Sequence, residues 1–154
     1  MPMPGPTDDH RRLHRLAGSW IGEETLHPSP WGPGGAAVGR LSSRVALDGM
    51  FVLSDYEEEK GGQVVFRGHG VFGWDARARQ VTWYWFDAMG ESPAEPARGS
   101  WEGDRLVLHG RHPRGESRYT YRFEGTARYD FSIEGSSDGG KSWVRFMEGR
   151  YQRV

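Results

Sequence analysis

The 154-residue sequence contains no cysteine, no excess of charge of either sign and no long hydrophobic run. Without cysteine the fold cannot depend on disulfide bonds, and this composition fits a reducing compartment. Twenty basic residues against 21 acidic residues give a net charge of −1 with the signs interspersed, so we expect no nucleic-acid partner. No stretch approaches the roughly 18 apolar residues of a membrane span, so we expect no membrane partner either.

The start of the chain is proline-rich, then acidic, then basic. It lacks the apolar run of about 7–15 residues that a secretory signal requires, so we expect a cytoplasmic protein. Residues 1–8 are predicted to form a disordered tail and residues 9–154 a single domain. Asp8 or Asp9 is predicted to cap a short helix that runs to about Ala17.

Aromatic residues and glycine are abundant, with seven Trp, six Tyr, seven Phe and 23 Gly. Aromatic residues favour half-buried pleated surfaces, and glycine interrupts helices while it permits bulges and tight turns. Beyond the helix, turn residues separate apolar segments at intervals of roughly 8–12 residues, which is typical of a sandwich or barrel. The predicted strands cover about 19–27, 37–47, 50–59, 64–74, 80–88, 98–101, 104–112, 117–124, 128–135 and 142–153.

Ten successive strands in an open sheet would leave two exposed edges, and closure of the sheet removes them. We therefore predict an all-β fold, a closed antiparallel up-and-down barrel of about ten strands with a short N-terminal helix. A barrel of this strand number is slightly wider than one that its own side chains fill, which leaves space for a ligand. An open two-sheet sandwich is the alternative. Asp48-Gly49 predicts a two-residue hairpin between the second and third strands.

Several sequence strings carry a family resemblance. Gly18-Ser19-Trp20, directly after the helix, resembles the Gly-x-Trp start of lipocalins and their calycin relatives. In those proteins the Trp seals the barrel floor and often packs beneath an Arg near the chain end, for which Arg150 and Arg153 are the candidates. The longer strings are Trp20-Ile21-Gly22-Glu23-Glu24, His27-Pro28-Ser29-Pro30-Trp31, Gly68-His69-Gly70-Val71-Phe72-Gly73-Trp74-Asp75, Tyr84-Trp85-Phe86-Asp87 and Phe146-Met147-Glu148-Gly149-Arg150-Tyr151. Together they resemble bacterial domain-of-unknown-function family fifteen-seventy-nine, calycin-like barrel proteins, which implies the fold and no particular activity.

Two glycine-rich segments match the patterns of nucleotide-binding loops. Gly135 to Ser142 fits the P-loop pattern, but strand-like residues follow it and Asp138 would place negative charge in a phosphate cradle. Gly68, Gly70 and Gly73 fit the dinucleotide fingerprint, but they lie within an apolar strand rather than before a helix. We interpret the first segment as a hairpin turn and the second as glycines that let a strand bend at a barrel corner.

Polar side chains within two aromatic strands are the main candidates for chemistry. Period-two alternation places His69 on one face of the fourth strand, and Trp83, Trp85 and Asp87 on one face of the fifth. If both faces point inward, His69 and Asp87 lie near each other and can satisfy a buried carboxylate, hold a ligand or act as a general base. The alternative is that Asp87 anchors the following loop while His69 bonds a backbone carbonyl.

Strand parity supplies further inward candidates. Glu24 shares a face with Trp20 on the first strand, and Glu148 shares one with Phe146 and Arg150 on the last. Three tyrosines complete the set, although ordinary core packing is the alternative for each. The predicted ligand-binding residues are Glu24, Tyr56, His69, Trp83, Trp85, Asp87, Tyr119, Tyr121 and Glu148.

The sequence predicts neither a metal site nor a cofactor. The six histidines show no zinc-ligand spacing, and no serine lies in a nucleophile-elbow pattern. Nitrobindins, another calycin branch, bind haem through a histidine near the C-terminus. This chain has no histidine after His112, which argues against haem.

Three functions follow from these features. The first is a carrier, sensor or sequestering protein that binds a small hydrophobic or amphipathic ligand inside the barrel. The second is an enzyme that uses His69 and Asp87 as an acid–base pair in the barrel cavity. The third is an interaction module with a filled barrel, whose contact surface is the His27–Gly35 loop with an exposed Trp31. That surface is compatible with a homodimer.

Overall fold

Alternating residues and glycine turns give ten antiparallel strands behind one short helix in the computed structural model. The structure describes residues 1–30 and 32–154. The helix α1 spans Asp8–Leu13 and continues into a 3₁₀ turn over His14–Leu16. The strands are β1 Gly18–Leu26, β2 Gly35–Ala46, β3 Phe51–Lys60, β4 Gln63–Asp75, β5 Gln80–Asp87, β6 Ala97–Glu102, β7 Arg105–His112, β8 Gly115–Glu124, β9 Arg128–Ser136 and β10 Val144–Arg153.

Each strand pairs with its neighbour in sequence, and β1 pairs with both β2 and β10. Gly22 of β1 lies opposite Gly39 on one side and Tyr151 on the other, so the sheet has no free edge at this point. The predicted closed up-and-down barrel is therefore confirmed, and the open sandwich is excluded. Among the described residues, no helix is long and apolar enough to cross a bilayer.

The strand boundaries agree with the predicted ones to within about two residues, but two local predictions are wrong. The turn after β2 occupies residues 47–50, and Ala46 lies opposite Phe51, so it is longer than a two-residue hairpin. The helix cap is Thr7 rather than an aspartate, because the backbone N–H of Thr7 donates to Nδ1 of His10 at 3.0 Å.

The helix and Trp20 close one end of the barrel. Trp20 is 2% exposed, and its indole N–H donates to the carbonyl of Leu16 at 2.9 Å. The guanidinium of Arg153 lies 4.2 Å from the centre of the Trp20 ring. Of the two arginines that the calycin resemblance offered, Arg153 takes this position, while Arg150 is exposed on the outer face.

Inward-facing glycines allow large rings to lie flat against the barrel wall. A Cβ atom on Gly22 would lie 2.3 Å from the Tyr151 ring, and one on Gly149 would lie 2.7 Å from it. On β4, a Cβ on Gly68 would meet Trp85 at 2.1 Å, and one on Gly70 would meet Trp83 at 2.6 Å. Gly68 and Gly70 thus make room for rings, a role that the sequence did not predict for them.

Candidate functional site

The interior of the barrel is packed at the helix end and open to solvent at the other. Inward side chains near the helix, such as Val52, Val81 and Leu106, are fully buried. At the opposite end Met147 is buried, but most of the large inward side chains are partly exposed. These form what we call the cup: Leu26, Phe66, Trp85, Tyr119, Phe131 and Ile133. The space between the side chains beneath the cup measures only about 20 Å³, room for one water molecule.

A buried carboxyl group, that of Glu24, lies at the floor of the cup. Its side chain is 2% exposed. The Tyr56 hydroxyl lies 2.8 Å from both of its carboxylate oxygens, and the Tyr151 hydroxyl donates to Oε2. A second carboxyl group, that of Glu58, lies 3.0 Å from the same Tyr56 hydroxyl. Four polar side chains from β1, β3 and β10 thus meet in an otherwise aromatic interior.

Burial raises the pKa of Glu24 to about 7, and the nearby Glu58 raises it further. Hydrogen bonds from Tyr151 and Tyr56 act in the opposite direction and lower it. Burial and the charge of Glu24 also raise the pKa values of Tyr56 and Tyr151, so both phenols stay neutral donors. The site therefore contains a carboxyl group that gains or loses a proton near neutral pH.

Asp87 also faces inward, at the rim of the cup. The Trp85 indole N–H donates to its Oδ2 at 2.9 Å, and the backbone N–H of Met89 donates to its Oδ1 at 2.9 Å. Asp87 therefore anchors the loop that follows β5 and fixes the ring of Trp85, as the structural alternative for this residue predicts.

The predicted pairing of His69 with Asp87 is wrong. In the β4–β5 register Gly68 lies opposite Asp87, and His69 lies opposite the outward-facing Phe86. Because neighbouring residues on a strand point to opposite faces, His69 is on the outside of the barrel. Its side chain is 41% exposed, and its Nδ1 lies 2.8 Å from Asp55, so its partner is not a backbone carbonyl either.

Glu148 is a second candidate that faces outward. It does share a face with Phe146 and Arg150, but in β10 the inward side chains are those of Met147 and Tyr151. The Glu148 carboxylate accepts a hydrogen bond from Arg145 at 2.8 Å and lies 3.7 Å from His27. It is part of a surface ion cluster, not of the lumen.

The structure places seven of the nine predicted residues in the lumen and adds six that the sequence reasoning missed. The seven are Glu24, Tyr56, Trp83, Trp85, Asp87, Tyr119 and Tyr121. The missed residues are Glu58 and Tyr151 at the floor and Leu26, Phe66, Phe131 and Ile133 in the cup. Glu58 shares a face with Tyr56, and Tyr151 shares one with Arg153, so strand parity contained the signal for both.

One serine–histidine hydrogen bond lies at the rim, but its donor and acceptor are the reverse of those that catalysis by the serine needs. Nε2 of His112 lies 3.0 Å from Oγ of Ser117, and the backbone N–H of Arg114 donates to Nδ1 of His112 at 3.3 Å. In the neutral ring Nε2 therefore carries the hydrogen and donates to the serine. A nucleophilic serine requires the opposite direction.

The comparisons with known proteins agree with this architecture. Residues 5–153 match the sequence profile of a family described as a protein of unknown function, DUF1579. The chain belongs to this family. Among solved structures, the DUF1579 chain is similar to Rv2717c of M. tuberculosis, with 16% identity, a TM-score of 0.71 and coverage of 96% of this chain and 98% of that one. A search of curated proteins finds no match.

The DUF1579 barrel is also similar to the S-type phycobiliprotein lyase CPES of Guillardia theta. The identity is 13% and the TM-score 0.69, with coverage of 95% of this chain and 92% of that one. At such identities the two structures establish a shared barrel fold.

Trp31 of the DUF1579 chain, the contact residue expected for an interaction module, lies outside the described residues.

Proposed function

We propose that this protein binds a small, partly apolar molecule in the cup. The observation that carries the proposal is the partial exposure of Trp85, Tyr119, Phe131 and Ile133, although all four face the barrel interior. Large apolar side chains that line a concave, water-accessible site are typical of a ligand pocket. At the helix end Trp74 and Trp101 are also partly exposed, but Arg12 and Arg15 lie over the Trp101 ring there.

The cup is also held in shape before any ligand arrives. Trp85 is fixed by its hydrogen bond to Asp87 and by contact with Gly68, and Trp83 and Trp85 lie 5.4 Å apart between ring centres. Rings that are already ordered lose little conformational freedom on binding, which favours affinity.

An interruption of the barrel wall lies beside the cup. The β5–β6 ladder comprises three residue pairs, from Val81–Gly99 to Trp83–Ala97, so the second half of β5 has no β6 partner. A cleft of about 420 Å³ lies beside this interruption, and Arg98, His109 and Arg111 on the outer face are among the residues that line it. The structural similarity to the phycobiliprotein lyase CPES is compatible with ligand binding in this barrel.

The test is a titration with Nile red, a neutral apolar dye that fluoresces when it leaves water. We expect saturable binding with a stoichiometry near one. Ile133→Trp replaces an aliphatic side chain with a larger indole ring inside the cup and should reduce the affinity at least tenfold. Ile21→Trp, the matched change on the outer face of β1, should leave it unchanged.

The outer wall needs its own control, since Tyr84 and Phe86 are exposed there. The double variant Tyr84→Ser, Phe86→Ser should bind the dye as the wild type does. Loss of binding in this variant, with binding retained in Ile133→Trp, would place the site on the outer wall and overturn the proposal. Circular dichroism of each variant confirms that it is folded.

A further inference from the structure

The charge inside the barrel is of one sign. Three carboxyl groups occupy inward positions, those of Glu24, Glu58 and Asp87. Among the described residues, no lysine or arginine occupies an inward position between the Trp20 layer and the rim. Lys60 and His112 lie at strand ends on the exposed rim. The cup therefore presents a negative potential that is not balanced from within.

The carboxyl groups at the floor also have too few hydrogen-bond donors around them. Tyr56 has one hydroxyl hydrogen, yet three carboxylate oxygens of Glu24 and Glu58 lie within 3.0 Å of its oxygen. Tyr151 supplies one further hydrogen, to Glu24. Two phenol hydrogens cannot serve two ionised carboxylates in this arrangement, so one carboxyl group keeps a proton or an external donor replaces it.

A buried donor on the wall below the cup has no partner. Trp83 is 7% exposed, and its indole N–H makes no hydrogen bond with any described residue. Trp83 and Trp85 both border the small cavity beneath the cup, together with Ser43 and Ser54, whose hydroxyls bond each other at 2.6 Å. A buried N–H without an acceptor is costly, and the adjoining cavity has room for one water molecule that can accept from it.

Aromatic faces surround the carboxyl groups. The ring centre of Tyr56 lies 6.0 Å from that of Trp85 and 6.5 Å from that of Phe66. Both neighbours are partly exposed in the cup. Tryptophan and tyrosine faces attract cations, most strongly where water is excluded.

We propose that the ligand of the cup is an organic cation, a protonated amine carried on an aromatic or apolar body. Its ammonium group lies against Glu24 and Glu58 and supplies the missing donor, while its body packs on Trp85. This inference rests on the proposed binding function and names the class of molecule that is bound.

Three naphthalene probes of equal shape test the charge requirement by calorimetric titration at pH 7.5. They are 2-naphthylmethylamine, which is cationic, 2-naphthylmethanol, which is neutral, and 2-naphthoate, which is anionic. We expect the amine to bind at least about tenfold more tightly than the alcohol, and the carboxylate to bind more weakly than both.

Two variants assign the preference to the carboxyl groups. Glu24→Gln and Glu58→Gln should each reduce the amine-to-alcohol ratio to within about threefold. Glu57→Gln is the matched control, because it removes the same charge from the outward-facing neighbour of Glu58 on β3. Glu58 is partly exposed, so its variant tests the proposal even if Glu24→Gln does not fold.

The outcomes separate this inference from the proposed function. Equal affinity for amine and alcohol, or a preference for the carboxylate, overturns the cation assignment, while Nile red binding in the cup would still support the general function. An amine preference that survives in both carboxyl variants also overturns it. If neither the dye nor any naphthalene probe binds, both proposals are wrong.

Discussion

The guanidinium of Arg153 lies 4.2 Å from the ring centre of Trp20 and joins the two ends of the chain. Its NH1 donates to the carbonyl of Ala17 at 2.5 Å, and its Nε donates to that of Thr126 at 2.8 Å. The C-terminal strand is thereby fixed to the helix side and to the β8–β9 turn. One residue thus secures the closed end of the barrel at three points.

Replacement of Arg153 by alanine is expected to destabilise the fold. It removes the cation–π contact and three hydrogen bonds to carbonyls, of which the one to Arg15 is long at 3.4 Å. We expect a loss of about 1–2 kcal/mol in the free energy of unfolding. Urea denaturation measures it. Arg150→Ala is the control, because Arg150 is exposed on the outer face of the same strand. Equal losses in the two variants would show that the contact with Trp20 contributes nothing.

The stability of the protein should fall as the pH rises through the range in which Glu24 titrates. Burial raises the pKa of Glu24 from 4.5 to about 7, so between these values the folded protein holds a proton that the unfolded chain has released. The free energy of unfolding therefore decreases across this window and stays lower above it, by about 3 kcal/mol.

Glu24→Gln keeps the shape of the protonated acid and removes the titration. We expect its free energy of unfolding to change less between pH 5 and pH 8, and to exceed that of the wild type at pH 8. Urea denaturation at several pH values measures both profiles. Glu23→Gln, on the exposed face of β1, should follow the wild type. Parallel profiles for Glu24→Gln and the wild type would contradict the raised pKa.

The wall glycines give a stability prediction that depends on the ring above each of them. A methyl group on Gly22 would lie 2.3 Å from the Tyr151 ring, which stacks on Tyr129 and cannot move aside freely. Gly22→Ala should therefore cost at least about 1–3 kcal/mol in the free energy of unfolding. Gly135→Ala, also inward, meets nothing closer than 3.9 Å and should be tolerated. A similar cost for both, in thermal or urea unfolding, would contradict this explanation.

Local sequence signals were sufficient to predict the ten strands and the closure of the sheet. Turn glycines mark the strand ends, and an open sheet of this length would leave unpaired edges. They were not sufficient to predict which face of β5 points inward, because Tyr84 and Phe86 on one face are as apolar as Trp83 and Trp85 on the other. The inward positions predicted for Trp83 and Trp85 are nevertheless correct, and the error with His69 lies on β4, whose inward face carries Gly68 and Gly70 rather than Val71.

The glycines of β4 explain why its inward face could not be predicted from that strand alone. In the sequence Gly68 and Gly70 have no side chain to bury, whereas the outward Val71 is a typical core residue. Their inward position makes sense only when Trp83 and Trp85 are known to lie over them, and those contacts join residues on different strands. Glu58 and Tyr151 were within reach of parity, but their meeting with Glu24 requires the closure of the barrel.

Opposite outcomes are expected for the two residues that the sequence suggested as an acid–base pair. His69 lies on the outer face, where its contact with Asp55 is exposed, so His69→Ala should change stability by less than about 0.5 kcal/mol and leave Nile red binding intact. Asp87→Ala leaves the N–H groups of Trp85 and Met89 without their partner, so we expect a loss of about 1–2 kcal/mol and weaker dye binding as Trp85 becomes mobile. Urea denaturation and the dye titration, run on both variants, measure these effects. Loss of dye binding in His69→Ala alone would move the ligand from the cup to the outer wall of β3–β5, where the glutamates of the floor cannot reach it.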